Sequence, residues 1–261
     1  MEINGSQSQY KEWKKLNTKK YRNRTQRFLI EGVKMIDEAI TWGGKIESIL
    51  YSKKLFEVNG GENLYRKVLE KGLYLIELDH HLLKGICNTQ NPQGIVGIIE
   101  QMDYSLEDII KNDVGTIILL NELQDPGNLG TIVRTADAAG VDGVVLSKGC
   151  VDLYNDKVLR ATMGSIFHLP IIYNVEMEEC ILRLKREGYQ VIGTGLNTDL
   201  YYQDIEYLPR KALVIGNEAH GLSNEMIHLC TDIVKIPIVG HAESLNAAIA
   251  AGILMYKLQG L

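Results

Sequence analysis

The sequence is poor in the residues that constrain a chain covalently. Its 261 residues include only four cysteines and five prolines. The cysteines form no C-x-x-C pair and have no histidine at ligand spacing, which argues against a disulfide framework and against a zinc site. We therefore expect four reduced structural thiols and no bound metal; the four are Cys87, Cys150, Cys180 and Cys230.

Long hydrophobic runs are also absent. No apolar stretch approaches the roughly 18 residues that a membrane span requires. The first ten residues are polar and lack the apolar core of a secretory signal. The composition, 45% hydrophobic and 23% charged, is typical of a globular chain. We expect a cytoplasmic protein with no membrane contact.

The charge is distributed unevenly. Residues 1–34 carry nine basic and three acidic side chains, a net charge of +6, which leaves −11 for the rest of a chain whose total is −5. A basic arm of this kind can contact a polyanion such as nucleic acid. On charge alone, a solvated arm that binds nothing is an equally good interpretation.

The length and the hydrophobic pattern predict two α/β domains. The first covers residues 1–100 and includes the basic arm, and a polar linker at 101–113 carries one helical turn. Within the first domain we predict strands at Phe28–Ile30, Ile46–Tyr51, Tyr74–Glu77 and Gly94–Glu100, and helices at Val33–Thr41, Leu64–Glu70 and His80–Ile86.

The second domain covers residues 114–261 and alternates strands with helices, which predicts a mostly parallel sheet covered on both faces. Ligands of such sheets usually bind beyond the carboxyl ends of the strands. The predicted strands are Thr116–Leu120, Gly143–Ser147, Pro170–Tyr173, Val191–Gly195, Leu213–Ile215 and Ile233–Pro237, and the clearest helices are Leu129–Ala139, Glu176–Glu187 and an alanine-rich one that ends near Leu258.

The first informative loop begins at Asn121, directly after a predicted strand, and leads into a helix that carries Arg134. Asp125 before Pro126 is typical of a helix cap and first turn. The apolar residues of the helix share one face, which leaves Arg134 off the buried side. Taken alone, Arg134 is more simply an ordinary exposed arginine than a catalytic one.

The glycines of this loop do not form a dinucleotide-binding fingerprint. Gly127 and Gly130 lack the full G-x-G-x-x-G spacing, and the next strand runs into Lys148 rather than into an acidic residue. A nicotinamide oxidoreductase is therefore disfavoured.

Two further loops combine polar residues with glycines after predicted strands. In the second loop, Gly216 and Gly221 flank Glu218, a carboxylate that fits either a functional role or a helix cap. In the third, Ser244 and Asn246 precede the alanine-rich helix, and Ser244 alone could serve as its N-cap.

The three loops, in this order, resemble the motifs of the SpoU/TrmH family of RNA ribose 2′-O-methyltransferases, which belongs to the SPOUT superfamily. The resemblance spans the carboxyl half, and Ala248 departs from the pattern because many members have serine there. The matching residues are Asn121, Asp125, Pro126, Asn128, Gly130 and Arg134 in the first loop, Gly216, Glu218 and Gly221 in the second, and Ile236, Pro237, Gly240 and Glu243 to Asn246 in the third.

The amino half resembles the substrate-binding domain of that family, which is similar to the ribosomal protein L7Ae/L30e fold. Arg24, Phe28, Glu31-Gly32 and the run from Asn91 to Gly94 carry this looser likeness. The resemblance implies that the basic arm contacts RNA, with ribosomal RNA as the expected substrate. The expected RNA-binding residues are Arg22, Arg24, Arg27 and Lys34.

The resemblance also implies a deep trefoil knot in the carboxyl domain, homodimerisation through it, and S-adenosylmethionine as cofactor. By carry-over of the motifs, the expected catalytic residues are Arg134, Asn128, Glu218, Ser244 and Asn246, and the expected cofactor-binding residues are Thr194, Gly216, Ile236 and Leu245. In the family, the arginine is proposed to act as a general base. An arginine that stays cationic is the alternative, because guanidinium is almost never deprotonated in proteins.

A second class of function stays open at this point. The chain could be an RNA-binding or ribosome-assembly factor that has the methyltransferase fold and no catalytic activity. The intact set of polar residues in the three loops favours the enzyme.

Overall fold

The computed structural model describes residues 7–110 and 113–261. The first six residues of the predicted arm, and Lys111 and Asn112 of the predicted linker, lie outside the described residues. The contacts divide the chain into two compact units. Unit 1 contains the chain up to Met102 together with Tyr154–Phe167, and unit 2 contains Asp103–Leu153 and His168–Leu261.

The described residues form ten helices and ten strands. The helices are α1 (Gln7–Lys15), α2 (Lys19–Thr25), α3 (Val33–Thr41), α4 (Gly61–Glu70), α5 (His80–Lys84), α6 (Pro126–Ala138), α7 (Asp156–Thr162), α8 (Met177–Arg186), α9 (Asn224–Leu229) and α10 (Ala247–Leu258). The strands are β1 (Arg27–Glu31), β2 (Ile46–Tyr51), β3 (Leu75–Glu77), β4 (Ile95–Glu100), β5 (Gly115–Leu120), β6 (Gly143–Ser147), β7 (Ile171–Val175), β8 (Gln190–Thr194), β9 (Arg210–Ile215) and β10 (Asp232–Val234). Short 3₁₀ turns lie at Lys53–Glu57, Leu106–Asp108 and Ser165–Phe167.

Unit 1 is built on a four-stranded sheet in the order β1-β4-β2-β3. Strands β1 and β2 pair antiparallel with β4, and β3 pairs parallel with β2. One side of the sheet packs against the basic arm, because Trp13, Leu16 and Tyr21 belong to the same buried cluster as Leu50 and Val96. The arm is therefore structured by its apolar residues.

One segment of unit 1 comes from the middle of the chain. The ring of Tyr154 lies 4.4 Å from the ring of Phe28, and its hydroxyl accepts a hydrogen bond from the N–H of Met102 at 3.1 Å. Gly164 packs against the side chain of Glu38 so closely that a Cβ there would approach Glu38 Cγ to 2.5 Å. The predicted carboxyl domain, residues 114–261, includes this segment, whereas its contacts place it in unit 1.

Unit 2 is built on a six-stranded sheet whose paired strands are all parallel, in the order β10-β8-β9-β5-β6-β7. Every residue of β5 and β6 is buried, as the apolar runs of these strands predict. From β5 the chain moves outward through β6 to β7 and then continues on the other side of β5. The order therefore reverses between β5 and β9, which is where ligands of open α/β sheets usually bind.

The observed elements confirm most of the predicted ones, and the differences have local causes. Helix α6 starts three residues before its predicted first residue, Leu129, because Asp125 accepts a hydrogen bond from the N–H of Asn128 and Pro126 occupies the first turn. Strand β10 ends at Val234, before the predicted end at Pro237. The short helices α7 and α9 were not predicted, because each is too short for a clear helical period.

No helix in the described part of the chain combines the length and the apolar character that crossing a membrane requires.

Candidate active site

The parallel sheet of unit 2 brings the informative loops to one edge. The first loop follows β5 and the second follows β9, and Leu120 pairs with Ile215 at the ends of these neighbouring strands. The N–H of Asn121 continues this pairing, since it donates to the carbonyl of Ile215 at 2.8 Å. The two loops therefore start side by side.

Arg134 lies on the exposed side of α6. Leu129, Ile132 and Val133 are fully buried and fix the orientation of the helix against the sheet. The guanidinium of Arg134 makes no hydrogen bond or ion pair with any residue that the structure describes. Its charge is therefore available to a ligand.

Glu218 connects the second loop to the first. Its carboxylate accepts hydrogen bonds from the backbone N–H groups of Gln124 at 3.0 Å and Asp125 at 2.9 Å, and from Asn128 Nδ2 at 3.1 Å. No helix starts at Glu218, since the next one, α9, is capped by Ser223. The interpretation of Glu218 as the cap of its own following helix is therefore wrong.

These hydrogen bonds also set the protonation of Glu218. Partial burial raises its pKa, but the hydrogen bonds from Gln124, Asp125 and Asn128 together outweigh burial, so that the pKa lies below the ordinary value of 4.5. Hydrogen-bond donors stabilise the charged form of a carboxylate. At neutral pH the carboxylate is ionised and acts as an acceptor.

Asn246 extends the network to the third loop. Its Nδ2 donates to Asn128 Oδ1 at 2.8 Å, while its Oδ1 accepts from the N–H groups of Ala248 and Ile249 at the start of α10. Asn246 is therefore the N-cap of α10, and the interpretation of Ser244 as that cap is wrong. The exposed Ser244 lies two residues before Asn246. Asn246, Asn128 and Glu218 thus form one continuous chain of side-chain hydrogen bonds across the three loops.

The expected cofactor-binding residues follow three adjacent strands. Thr194 ends β8 and pairs with Val234 of β10, while its hydroxyl donates to the carbonyl of Val214 on β9 at 3.1 Å. Gly216 directly follows β9, and the half-buried Ile236 comes shortly after β10. Leu245, in the third loop, is 37% exposed. The first three residues therefore lie at or just beyond the carboxyl ends of β8, β9 and β10.

Gly216 lies in a turn too tight for a side chain. Asn217 and Gly221 exchange two backbone hydrogen bonds, of 3.1 and 2.8 Å, that close the turn. A Cβ added at Gly216 would lie 2.4 Å from the carbonyl carbon of Gly221. The glycine is thus required for the close approach of two backbone segments.

The four predicted RNA-binding residues of unit 1 differ in their availability. The side chain of Arg22 is buried, with 6% of the residue exposed, and donates to the carbonyl of Leu16 at 2.9 Å. Arg27 forms an ion pair with Glu47. Arg24 is exposed and stacks over the ring of Tyr21 at 4.6 Å, and Lys34 is exposed. We correct the prediction for Arg22, because a buried guanidinium cannot reach a phosphate.

The cysteines and possible metal ligands add nothing to the site. All four cysteines are free thiols, and burial raises the pKa of Cys180 and of Cys230 to about 11. Within residues 7–110 and 113–261, no three His, Cys, Asp or Glu residues are grouped so that they could hold a metal ion.

Three residues that support the loops are not among the predicted site residues: Glu122, Gln124 and Asn217. The Gln124 side chain donates to the carbonyls of Glu122 and Gly149, and Asn217 Nδ2 donates to the carbonyl of Glu122 at 2.9 Å. Glu122 and Gln124 lie in the first motif loop, and Asn217 lies in the second. The backbone carbonyls that they use carry no signal in the sequence.

Comparison with known proteins identifies the family. Residues 115–256 match the model of the SpoU rRNA methylase family, and residues 7–97 match that of the MRM3-like substrate-binding domain. The chain therefore belongs to the SpoU rRNA methylase family, which confirms the resemblance seen in its motifs.

Individual relatives are similar to this protein over nearly the whole chain. The chain is 38% identical over 250 residues to the 23S rRNA (guanosine(2553)-2′-O)-methyltransferase RlmP of Bacillus subtilis, covering 96% of this chain and 95% of that protein. It is similar to the AdoMet-bound rRNA methyltransferase of Sinorhizobium meliloti, with 34% identity, a TM-score of 0.87 and coverage of 100% and 97%. The SpoU methyltransferase AviRb of Streptomyces viridochromogenes, in complex with AdoMet, gives 28% identity, a TM-score of 0.86 and coverage of 97% of both chains.

The lowered pKa of Glu218 predicts a contribution to acid stability. The hydrogen bonds to its carboxylate stabilise the fold above pH 4.5, the ordinary pKa, and this contribution is lost as the pH falls through the lower pKa of the folded state. Glu218→Gln should therefore reduce the acid dependence of the free energy of unfolding, measured by urea denaturation between about pH 3 and pH 6. E243Q, in an exposed position of the third loop, is the control. Identical pH dependence of E218Q and the native protein would contradict the prediction.

The tight turn at Gly216 predicts that alanine destabilises the fold at this glycine of the motifs but not at Gly240. Gly216→Ala should lower the free energy of unfolding by about 1–3 kcal/mol, since the added methyl group forces the backbone apart. Gly240→Ala should have little effect, because a Cβ there meets no atom within 4 Å. Urea denaturation of both variants tests this, and equal stability would show that the turn tolerates a side chain.

Proposed function

We propose that this protein is an S-adenosylmethionine-dependent RNA methyltransferase that modifies a ribose 2′-hydroxyl, with ribosomal RNA as substrate. The observation that carries the proposal is the hydrogen-bonded chain of Asn246, Asn128 and Glu218, which joins the three family motifs; Asn128 lies on the same helix as the unpaired Arg134. The activity of the Bacillus subtilis relative, a 23S rRNA 2′-O-methyltransferase, supports the choice of reaction and substrate.

We propose that S-adenosylmethionine binds at the carboxyl ends of β8, β9 and β10. The residues there fit it, since the partly exposed Ile236 and Leu245 supply apolar surface next to the tight backbone turn at Gly216. Apolar walls with a few polar groups are typical of small-molecule sites. Thr194 would contribute at the end of β8. When bound, the cofactor supplies an electrophilic methyl group on a sulfonium that is a good leaving group.

The remaining difficulty of the reaction lies in the nucleophile. The pKa of a ribose hydroxyl lies far above 7, so removing its proton at neutral pH costs several kcal/mol, at about 1.36 kcal/mol per pKa unit. We propose that Arg134 stays cationic and stabilises the negative charge that develops on the 2′-oxygen. Asn128, Glu218, Ser244 and Asn246 would surround the ribose and orient Arg134.

RNA would be held by unit 1. Arg24 and Lys34 are exposed cations of the basic arm, and Tyr10 and Tyr21 lie under the ammonium groups of Lys14 and Lys15. Lysine and arginine contacts to phosphates supply most of the affinity of proteins for nucleic acids. We propose Arg24 and Lys34 as RNA contacts, with Arg27 in a secondary role because of its ion pair with Glu47. A cytoplasmic location fits a ribosomal RNA substrate.

We also propose that the carboxyl half forms a trefoil knot and that the protein is a homodimer through this region. Helix α10 presents an exposed apolar stripe, with Ile249 55%, Ile253 37% and Tyr256 42% exposed. Contiguous exposed apolar residues commonly mark protein interfaces. In such a dimer, Arg134 of one subunit would serve RNA held by the other.

The activity is tested with labelled S-adenosylmethionine, purified protein, and ribosomal and transfer RNA as separate substrates, and ribose methylation is identified by resistance of the modified linkage to alkali. We expect transfer to ribosomal RNA. Arg134→Lys should lower kcat about 100-fold, because lysine keeps the charge but loses the planar geometry of the donors. The exposed Arg186→Lys on α8 is the matched control.

Near-normal turnover of R134K with an unchanged pH profile would contradict the proposed role of the arginine. No methyl transfer, together with no binding of S-adenosylmethionine by calorimetry, would favour a non-catalytic RNA-binding or assembly factor.

The dimer is tested by placing a charge on the apolar stripe. Ile253→Glu should yield a monomer in light scattering and abolish methylation, because a carboxylate in an apolar interface is strongly destabilising. Leu182→Glu, at a 47% exposed position of α8, should leave the oligomeric state unchanged. A fully active monomer would refute a site shared between subunits.

A further inference from the structure

Glu122 adopts a backbone conformation that favours glycine. Its φ angle is +56°, in the left-handed region that L-amino acids with a side chain seldom occupy. The residue stands in the first motif loop, directly after Asn121 and three residues before the cap of α6. Such a conformation persists only where surrounding interactions hold it, and it is common at functional sites.

Side chains from three places hold this residue through its backbone. Its N–H donates to Ser147 Oγ at the end of β6, at 2.8 Å. Its carbonyl accepts from Asn217 Nδ2 at 2.9 Å and from Gln124 Nε2 at 3.0 Å. The backbone of Glu122 thus connects the loops that follow β5, β6 and β9.

The conformation of Glu122 directs the next part of the loop. Two and three residues further on, Gln124 and Asp125 point their N–H groups at the carboxylate of Glu218. Glu218 in turn holds Asn128, which holds Asn246. A shift of the peptide at Glu122 would therefore move the donors on which the chain of active-site hydrogen bonds depends.

Asn217 is the member of this arrangement that links two loops with one side chain. Its Oδ1 accepts from the N–H groups of Ala219 at 2.9 Å and His220 at 3.2 Å, as in an ordinary turn of the second loop. Its Nδ2 reaches across to Glu122. Aspartate could perform the first role but cannot donate, so the second role requires the amide.

We propose that Asn217 is a positioning residue for methyl transfer, which acts by holding Glu122 in its left-handed conformation and thereby aligning the Glu218–Asn128–Asn246 chain. The inference rests on the proposed function and deepens it, since Asn217 touches none of the reacting groups. Without this role, the side chain of Asn217 would be explained by its hydrogen bonds within the turn alone.

The test separates the two roles of the amide. Asn217→Asp keeps the acceptor of the turn and removes the donor to Glu122. We expect kcat to fall about 10- to 100-fold, the range that misplacement of a catalytic group produces, with KM values changed less than about threefold. Asn224→Asp, the same chemical change at an exposed position at the start of α9, corrects for the added charge.

A second variant distinguishes positioning from general damage to the fold. Glycine adopts positive φ angles as readily as negative ones, so Glu122→Gly removes the strain that the hydrogen bond from Asn217 opposes. With E122G as the reference, the double variant N217D/E122G should recover kcat to within about threefold. A double variant as slow as N217D, or an N217D enzyme as fast as N224D, would overturn the proposal.

A measurement without catalysis keeps this inference distinct from the proposed function. Amide hydrogen exchange at Gln124 and Asp125 should be at least about tenfold faster in N217D than in N224D and should slow again in N217D/E122G. Unchanged exchange would overturn the positioning role. Faster exchange in N217D, together with a native protein that methylates no RNA, would instead uphold the geometric link and refute the proposed function.

Discussion

The organisation of the candidate site depends on one carboxylate. Glu218 accepts two backbone N–H groups from the loop after β5 and an amide of Asn128, so a single ionised side chain ties two strand ends together. Charge-assisted hydrogen bonds of this kind are stronger than neutral ones. Because Asn246 both caps α10 and bonds to Asn128, the start of the last helix is fixed by the same group. An exposed site built from loops thereby gains a defined geometry.

Part of this arrangement could be predicted from the sequence, because the residues concerned follow clear hydrophobic patterns. The apolar runs of β5 and β6 predicted buried parallel strands, and the apolar face of α6 predicted that Arg134 would be exposed. The choice of Asn246 over Ser244 as the helix cap was not predictable, because both residue types are good caps. The positive φ angle of Glu122 could not be predicted either, because glycine is the residue expected at such a position.

The basic arm shows the limit of arguments from charge. Its net charge counted Arg22 and Arg24 alike, yet one is buried against the carbonyl of Leu16 and the other stays exposed over Tyr21. Only tertiary packing separates them, because Trp13 and Leu16 draw the arm onto the sheet. Charge singled out the arm as the predicted RNA contact, and burial decides which of its cations remain accessible.

The segment Tyr154–Phe167 makes unit 1 discontinuous in sequence. Tyr154 packs on Phe28, and Gly164 on Glu38, so part of the interior of this unit is supplied after β5 and β6 have already been translated. During synthesis on the ribosome, the amino-terminal unit therefore cannot be completed when its own sheet has emerged. Its maturation is coupled to the appearance of the carboxyl half, so unit 1 can be finished only after the first strands of unit 2 have been synthesised.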